Sequence, residues 1–354
     1  MSQATGYRAT ATPGTVERFE LTRRELRADD VEVRVSHCGI CHSDLHALAT
    51  PPADPVGTPL VPGHELVGEV VAVGSDVTRF AVGDPVAVGN IVDSCGECAM
   101  CRAGLENMCE DFPTLTYGGV DRVDGSITLG GWSTSYVLRE DFAYHRPPGL
   151  DPAAVAPLMC AGVTVWEPLR TWQVGPGSRV GVVGLGGLGH LAVKLGVALG
   201  AEVTVFTRTT GKADDARALG AHRVVVSTDH DAMAAAAGTL DLVLDCAPSA
   251  HDPGPYLRTL ALDGTLVVLG YLGAATVDAM DLLRARRRLA SSGSAGRERT
   301  QELLDFCGEH GIVADVEVVP SARLGEALDR LSRNDVRYRF TLDLSDLAQR
   351  PPQH

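Results

Sequence analysis

At 354 residues, with 45% hydrophobic and 21% charged residues, the chain has the composition of a globular protein long enough for two domains. Its net charge of −14 argues against nucleic acid or an anionic membrane as a general partner, because either demands a basic surface. No apolar run reaches the roughly 18 residues of a membrane span and no basic flank leads into an apolar N-terminal stretch, so the expected location is the cytoplasm.

The first part of the chain reads as short strands broken by Gly and Pro. Val31-Glu32-Val33-Arg34-Val35 alternates apolar and polar, as a half-buried strand does. It runs directly toward Cys38-Gly39-Ile40-Cys41-His42-Ser43-Asp44-Leu45-His46, where two thiols, two imidazoles, a hydroxyl and a carboxylate crowd together. That is one wall of a metal site; a catalytic zinc needs three protein ligands and an open fourth position, so the remaining ligands come from elsewhere. The Pro-rich run 50–62 predicts a loop that ends at Gly63-His64-Glu65, after which Leu66 to Val73 and Pro85 to Val88 resume the strand pattern.

Cys95-x2-Cys98-x2-Cys101-x7-Cys109 then places four of the nine cysteines in one short window. In a large chain without a secretory leader this spacing points to metal rather than to a disulfide framework. Four thiolates with no room for a fifth ligand make a closed structural zinc site, although an iron–sulfur cluster also uses four cysteines.

Near residue 153 the texture changes to alternating strands (Arg179 to Val183, Val203 to Phe206, Val224 to Val226, Asp241 to Leu244, Gly264 to Leu269) and helices (Leu188 to Leu199, Lys212 to Leu219). This order implies a doubly wound parallel sheet covered on both faces. Gly184-Leu185-Gly186-Gly187-Leu188-Gly189 follows a strand and opens a helix, the context in which a GxGxxG run receives a pyrophosphate on backbone amides. At the end of the next strand an NAD site wants an acid for the ribose hydroxyl. The chain instead reads Thr207-Arg208-Thr209-Thr210-Gly211-Lys212; hydroxyls with Arg208 and Lys212 suit a 2′-phosphate, so NADP(H) is expected. The cluster Arg284, Arg286, Arg287, Arg288 reads as an exposed edge or interface. Beyond Ser291 the elements are mixed and short, with a helix near Ser321 to Ser332, a strand at Tyr338 to Leu342 and a disordered tail from Gln349 to His354.

The segments CGICHSDLH, VPGHELVG, the four-cysteine window closing on GLENMC, TYGG, APLMCAGVTV, VGLGGLGHLAVK, DFCGEHGIVAD and VRYRF together resemble the zinc-dependent medium-chain alcohol dehydrogenases, and among them the cinnamyl-alcohol-dehydrogenase-like aldehyde reductases. The resemblance implies a GroES-like, β-rich catalytic domain in two pieces (1–153 and 294–354) around a Rossmann cofactor domain (154–293), with the active site in the cleft between them, and a homodimer formed through the edge of the cofactor-domain sheet. It implies two zinc ions per chain: Cys41, His64 and Cys160 as catalytic ligands, and Cys95, Cys98, Cys101 and Cys109 as structural ones. Ser43 and His46 become the proton relay and Asp44 orients His64. Glu65 lies behind the metal, His42 near the pyrophosphate and Thr164 beside the nicotinamide. The implied reaction is the interconversion of a primary alcohol and an aldehyde, run as an aldehyde reductase.

Zinc lowers the pKa of a bound water from 15.7 to about 7, and a comparable effect on an alcohol is worth roughly 12 kcal/mol, against roughly 3 to 5 for a positioned acid or base. Zinc therefore carries the larger share. A reductase of iminium ions or conjugated alkenes would be expected to alter the zinc or relay residues, and a catalytically silent zinc and nucleotide binder has no reason to keep both sites. For the substrate, the loop 49–60 lacks the Trp usual in related reductases and the segment 291–299 is more polar than theirs. Trp132 and Trp166 offer either aromatic substrate surface or core.

Overall fold

The structure is a computed structural model that describes residues 2–49, 57–270 and 273–347; much of the predicted Pro-rich loop and the expected disordered tail lie outside the described residues. The chain divides into two compact units, Met1–Cys160 with Ala295–His354, and Ala161–Ser294.

The first unit is built on a sheet in the order Val316–Pro320, Arg339–Asp343, Asp30–Ile40, Leu66–Val73, Pro85–Val88, Ala143–His145. Ser135–Arg139 pairs with the first half of Asp30–Ile40, and Arg339–Asp343 with its second half. One long strand thus draws both ends of the unit onto a common core. Trp132, Phe142, Phe340, Leu48 and Leu66 are fully buried there, each stabilising by roughly 1.5 to 3 kcal/mol relative to exposure. Trp132 therefore belongs to the core and offers no surface; its indole nitrogen donates to the Gly39 carbonyl at 3.4 Å.

The longest helix among the described residues is Arg297–His310, which the mixed, charged sequence after Ser291 did not announce. Its buried stripe is narrow, Thr300, Leu303, Leu304 and Cys307, the spacing that lays one face on a core. The N-terminus has no side-chain cap of its own. Instead the buried Glu106 carboxylate accepts from the Arg297 backbone N–H (2.9 Å) and from its guanidinium (2.8 Å), a cap from 191 residues away that a local reading misses.

The second unit carries a parallel sheet in the order Arg223–Val226, Glu202–Thr207, Arg179–Val183, Leu240–Asp245, Leu260–Val268, Arg288–Ser291. This is the Rossmann order, with ligand sites at the carboxyl ends where the order reverses. The predicted strands all form; Leu260–Val268 starts earlier than the sequence pattern suggested, and Arg288–Ser291, which begins at the last arginine of the basic run, is an edge strand. Trp166 is fully buried in Ala161–Thr171, again core rather than substrate surface. Among the described residues no helix is long and apolar enough to cross a membrane.

Candidate active site

Three segments of the first unit converge on one point. Cys41 lies where strand Asp30–Ile40 passes into helix His42–Ala49. His64 and Glu65 sit just before Leu66–Val73, the antiparallel neighbour of that strand, and the Gly39 N–H donates to the Glu65 carbonyl at 2.8 Å. Cys160 follows the 3₁₀ turn Ala156–Met159. Gly63 has φ +98, and a Cβ there would lie 2.5 Å from the Trp132 ring, so both backbone and space demand glycine before the histidine.

Cys41, His64, Glu65 and Cys160 each offer a ligand atom, all within 4.8 Å of one another. The two sulfurs are 3.9 Å apart; two thiolates on one tetrahedral zinc at 2.3 Å stand about 3.8 Å apart. Two thiols this close share a proton: the hydrogen bond between them holds Cys41 well below the usual thiol range and Cys160 well above it. A divalent cation lets both ionise, so the donor set fits zinc.

The buried Asp44 carboxylate ties the wall together. It accepts from the Cys41 N–H (2.8 Å) and the Gly63 N–H (3.2 Å), and lies 3.2 Å from His64 Nδ1. His64 thereby presents Nε2 to the cluster, the orientation a carboxylate imposes on a ligating imidazole. Glu65, expected behind the metal, has a carboxylate oxygen within the same 4.8 Å set. Burial pushes its carboxyl up, while the Arg339 guanidinium and then His64 pull it down. Arg339 is buried with it and bonded to Oε1; Oε2 has no hydrogen-bond partner among the described residues.

On helix His42–Ala49, Asp44 and Leu48 face inward, whereas Ser43 and His46, one turn apart, are exposed on another face. Ser43 Oγ is 3.6 Å from Cys41 Sγ, so this face begins at the metal cluster and runs outward. His42 is half-buried, and burial lowers its pKa.

Arg339 and Tyr117 were not singled out from sequence. Tyr117 packs its ring 5.7 Å from that of His64, and burial, then the nearby Asp44 charge, push its hydroxyl pKa up. Their sequence signal was membership in two of the segments that carry the resemblance, TYGG and VRYRF. Nothing in the local pattern marks an arginine 274 residues from its carboxylate.

Cys95, Cys98, Cys101 and Cys109 form the second cluster within the same 4.8 Å limit. The sulfurs of Cys95 and Cys101 are 3.8 Å apart, and backbone N–H groups of Cys95, Cys98 and Cys101 donate to sulfurs of the set. Such N–H bonds, first among them the one from Cys101, hold the Cys98 thiol down at about 6, while burial raises Cys101 to about 11. Four thiols could fill every position of a tetrahedral zinc, leaving none for substrate.

In the second unit Gly184 to Gly189 joins strand Arg179–Val183 to helix Gly189–Ala198. A Cβ at Gly189 would lie 2.0 Å from the Gly184 carbonyl oxygen, so glycine alone permits the tight passage. Thr207 ends the neighbouring strand, but its hydroxyl is turned into the chain, donating to the Thr209 carbonyl at 2.6 Å. Arg208 and Thr209 are exposed, and Lys212 Nζ donates to the Leu185 carbonyl at 2.8 Å. Thr164 lies half-buried on helix Ala161–Thr171, which packs against Gly189–Ala198.

Residues 27–148 match the alcohol dehydrogenase GroES-like domain, and residues 187–309 match the zinc-binding dehydrogenase domain. The chain is 45% identical over 331 residues to aldehyde reductase YahK of Escherichia coli (strain K12), covering 93% of this chain and 94% of that one. A cinnamyl alcohol dehydrogenase of Sorghum bicolor superposes with a TM-score of 0.93 at 41% identity, covering 100% of both chains. The corresponding enzyme of Helicobacter pylori, solved with NADP(H), superposes at 0.87 with 30% identity over 97% and 98% of the two chains. With two family domains matched and relatives aligned over nearly its whole length, the chain belongs to the zinc-binding alcohol dehydrogenases with a GroES-like domain.

Proposed function

We propose that the chain interconverts a primary alcohol and an aldehyde by hydride transfer with NADP(H), working as an aldehyde reductase. The observation that carries this reading is the cluster of Cys41, His64 and Cys160 beside the exposed Ser43 and His46 face. Bound zinc supplies Lewis acidity and bound nicotinamide the hydride. Cys41, His64 and Cys160 hold the metal, and Asp44 keeps the His64 ring aimed at it. Glu65, anchored by Arg339, would stand as a carboxylate beside those three ligands. Ser43 passes the proton between substrate and His46, and His46 exchanges it with solvent. The loop 184–189 takes the pyrophosphate, Arg208 and Thr209 the 2′-phosphate with Lys212 beside them, His42 approaches the pyrophosphate and Thr164 the nicotinamide. Cys95, Cys98, Cys101 and Cys109 hold a structural zinc.

The catalytic residues fall in the divided first unit and the nucleotide loop in the second. The open edge strand Arg288–Ser291, with exposed Leu283 and Leu289, supports a homodimer. Cysteines grouped as metal-ligand sets, with no disulfide among the described residues, support a reducing compartment, the cytoplasm. The test is NADPH absorbance at 340 nm with a panel of aromatic and aliphatic aldehydes, alongside a zinc count. Aldehyde-dependent oxidation with two zinc per chain is expected; folded, zinc-loaded protein inert to the whole panel refutes the reaction.

A further inference from the structure

The glycine loop carries two ties that its nucleotide-binding role does not itself require. His190, in the first turn of helix Gly189–Ala198, is fully buried, and its Nδ1 lies 3.0 Å from the Gly186 carbonyl oxygen. The His190 backbone N–H donates to the same oxygen at 3.0 Å. Since a carbonyl only accepts, the ring carries its proton on Nδ1. One residue earlier, the Leu185 carbonyl accepts from Lys212 Nζ at 2.8 Å. Two successive carbonyls of the loop are thus held by two side chains, one reaching from its own helix and one from the turn after the neighbouring strand.

We propose that His190 and Lys212 are positioning residues that hold the loop in the shape that receives the cofactor pyrophosphate. In a planar trans peptide the carbonyl of one residue and the N–H of the next point in opposite directions. Fixing the Gly186 carbonyl on the buried His190 ring therefore turns the Gly187 N–H away from the interior. Gly186 itself is exposed, and a Cβ on it would meet nothing within 4 Å among the described residues, so the outer face of the loop is open to a ligand there. A helix N-terminus binds phosphate only when its free amides point at it. The Lys212 tie adds a second consequence. The ammonium expected near the 2′-phosphate also grips the pyrophosphate loop, so the two halves of the recognition surface form one mechanical unit. This inference rests on the NADP(H) reading for the role of Lys212, but not for that of His190, whose ring is out of reach of solvent.

The experiment compares the full-length zinc-loaded enzyme with His190→Ala, His190→Asn, Lys212→Met, Lys212→Arg and the His190→Ala/Lys212→Met pair. Dissociation constants for NADPH and NADH come from fluorescence quenching, with KM, kcat and melting temperature measured in parallel. His190→Ala is expected to weaken NADPH and NADH by one common factor, roughly 3- to 10-fold for the loss of one net hydrogen bond, raising KM with kcat unchanged; His190→Asn, whose amide can reach back to the same carbonyl, restores part of it. Lys212→Met weakens both cofactors, NADPH more, and Lys212→Arg keeps most of the NADH affinity. Because both side chains hold one loop, the double mutant loses less than the product of the single losses. Unchanged cofactor affinity in folded His190→Ala, or strictly multiplicative losses in the pair, overturns the proposal. Equal NADPH and NADH affinity in the unmodified enzyme overturns the NADP reading alone, and the His190 arm still decides the loop.

Discussion

Gly39 sits in the strand that leads to Cys41, and its hydrogen atoms face the Glu65 carboxylate. A Cβ there would lie 2.0 Å from Glu65 Oε2 and 2.9 Å from its carboxyl carbon. No φ restriction applies, so Gly39→Ala is a purely steric perturbation. To restore even a tight contact of roughly 3 Å, the carboxylate must retreat by about 1 Å. It cannot retreat freely, being buried and bonded to Arg339. A methyl forced into a packed interior costs roughly 1 to 3 kcal/mol, and full rupture of a buried ion pair roughly 3 to 5. The substitution should therefore destabilise the protein by about 2 to 4 kcal/mol, between those limits. A misplacement of about 1 Å among catalytic groups costs roughly 10²-fold in rate, so kcat/KM should fall by about that factor. Urea unfolding and steady-state kinetics read the two effects. The control is the same substitution in a Glu65→Ala background, where the colliding oxygen is gone and the added cost should drop below about 1 kcal/mol. If Gly39→Ala is neutral, or costs as much without the Glu65 carboxylate as with it, the steric account is wrong.

Three further outcomes follow from the Cys41, His64 and Cys160 cluster, the proton path and a charged pair. Cys160→Ala and His64→Ala should abolish turnover with the fold retained, seen as an unchanged far-ultraviolet circular dichroism spectrum; full activity in either removes it from the ligand set. His46→Ala should slow turnover by roughly 10²-fold at most, since solvent can still collect the proton, and an unchanged pH–rate profile would refute the relay. Asp121 accepts from Arg27 (2.9 Å) and from the Val123 N–H (2.8 Å); burial opposes the charge, but these bonds hold its pKa below the usual 3.8. Its contribution to stability is thus complete above that value and lost as the pH falls through the lowered folded value, so Asp121→Asn should flatten the acid limb of the stability curve below about pH 4. An acid limb of unaltered slope would show that Asp121 does not carry it.

The sequence by itself determined the parts of this protein that are local. The four-cysteine window, the glycine run between a strand and a helix, and the parallel-sheet pattern all depend on spacing within a few dozen residues, and the structure forms each of them. The crowding from Cys38 to His46 was equally visible, because reactive side chains rarely cluster without a task. Tertiary structure alone decided what depends on distant partners. The Glu65 carboxylate stands beside Cys41, His64 and Cys160 where Arg339 bonds it from 274 positions away, and Gly39 leaves the space it occupies. Helix Arg297–His310 takes its cap from Glu106 in the cysteine lobe. Trp132 and Trp166 are core, an assignment no pattern could make. Hydrogen bonds within one segment are written in periodicity and turn chemistry; charges and close contacts between segments are set by packing, and only the folded chain records them.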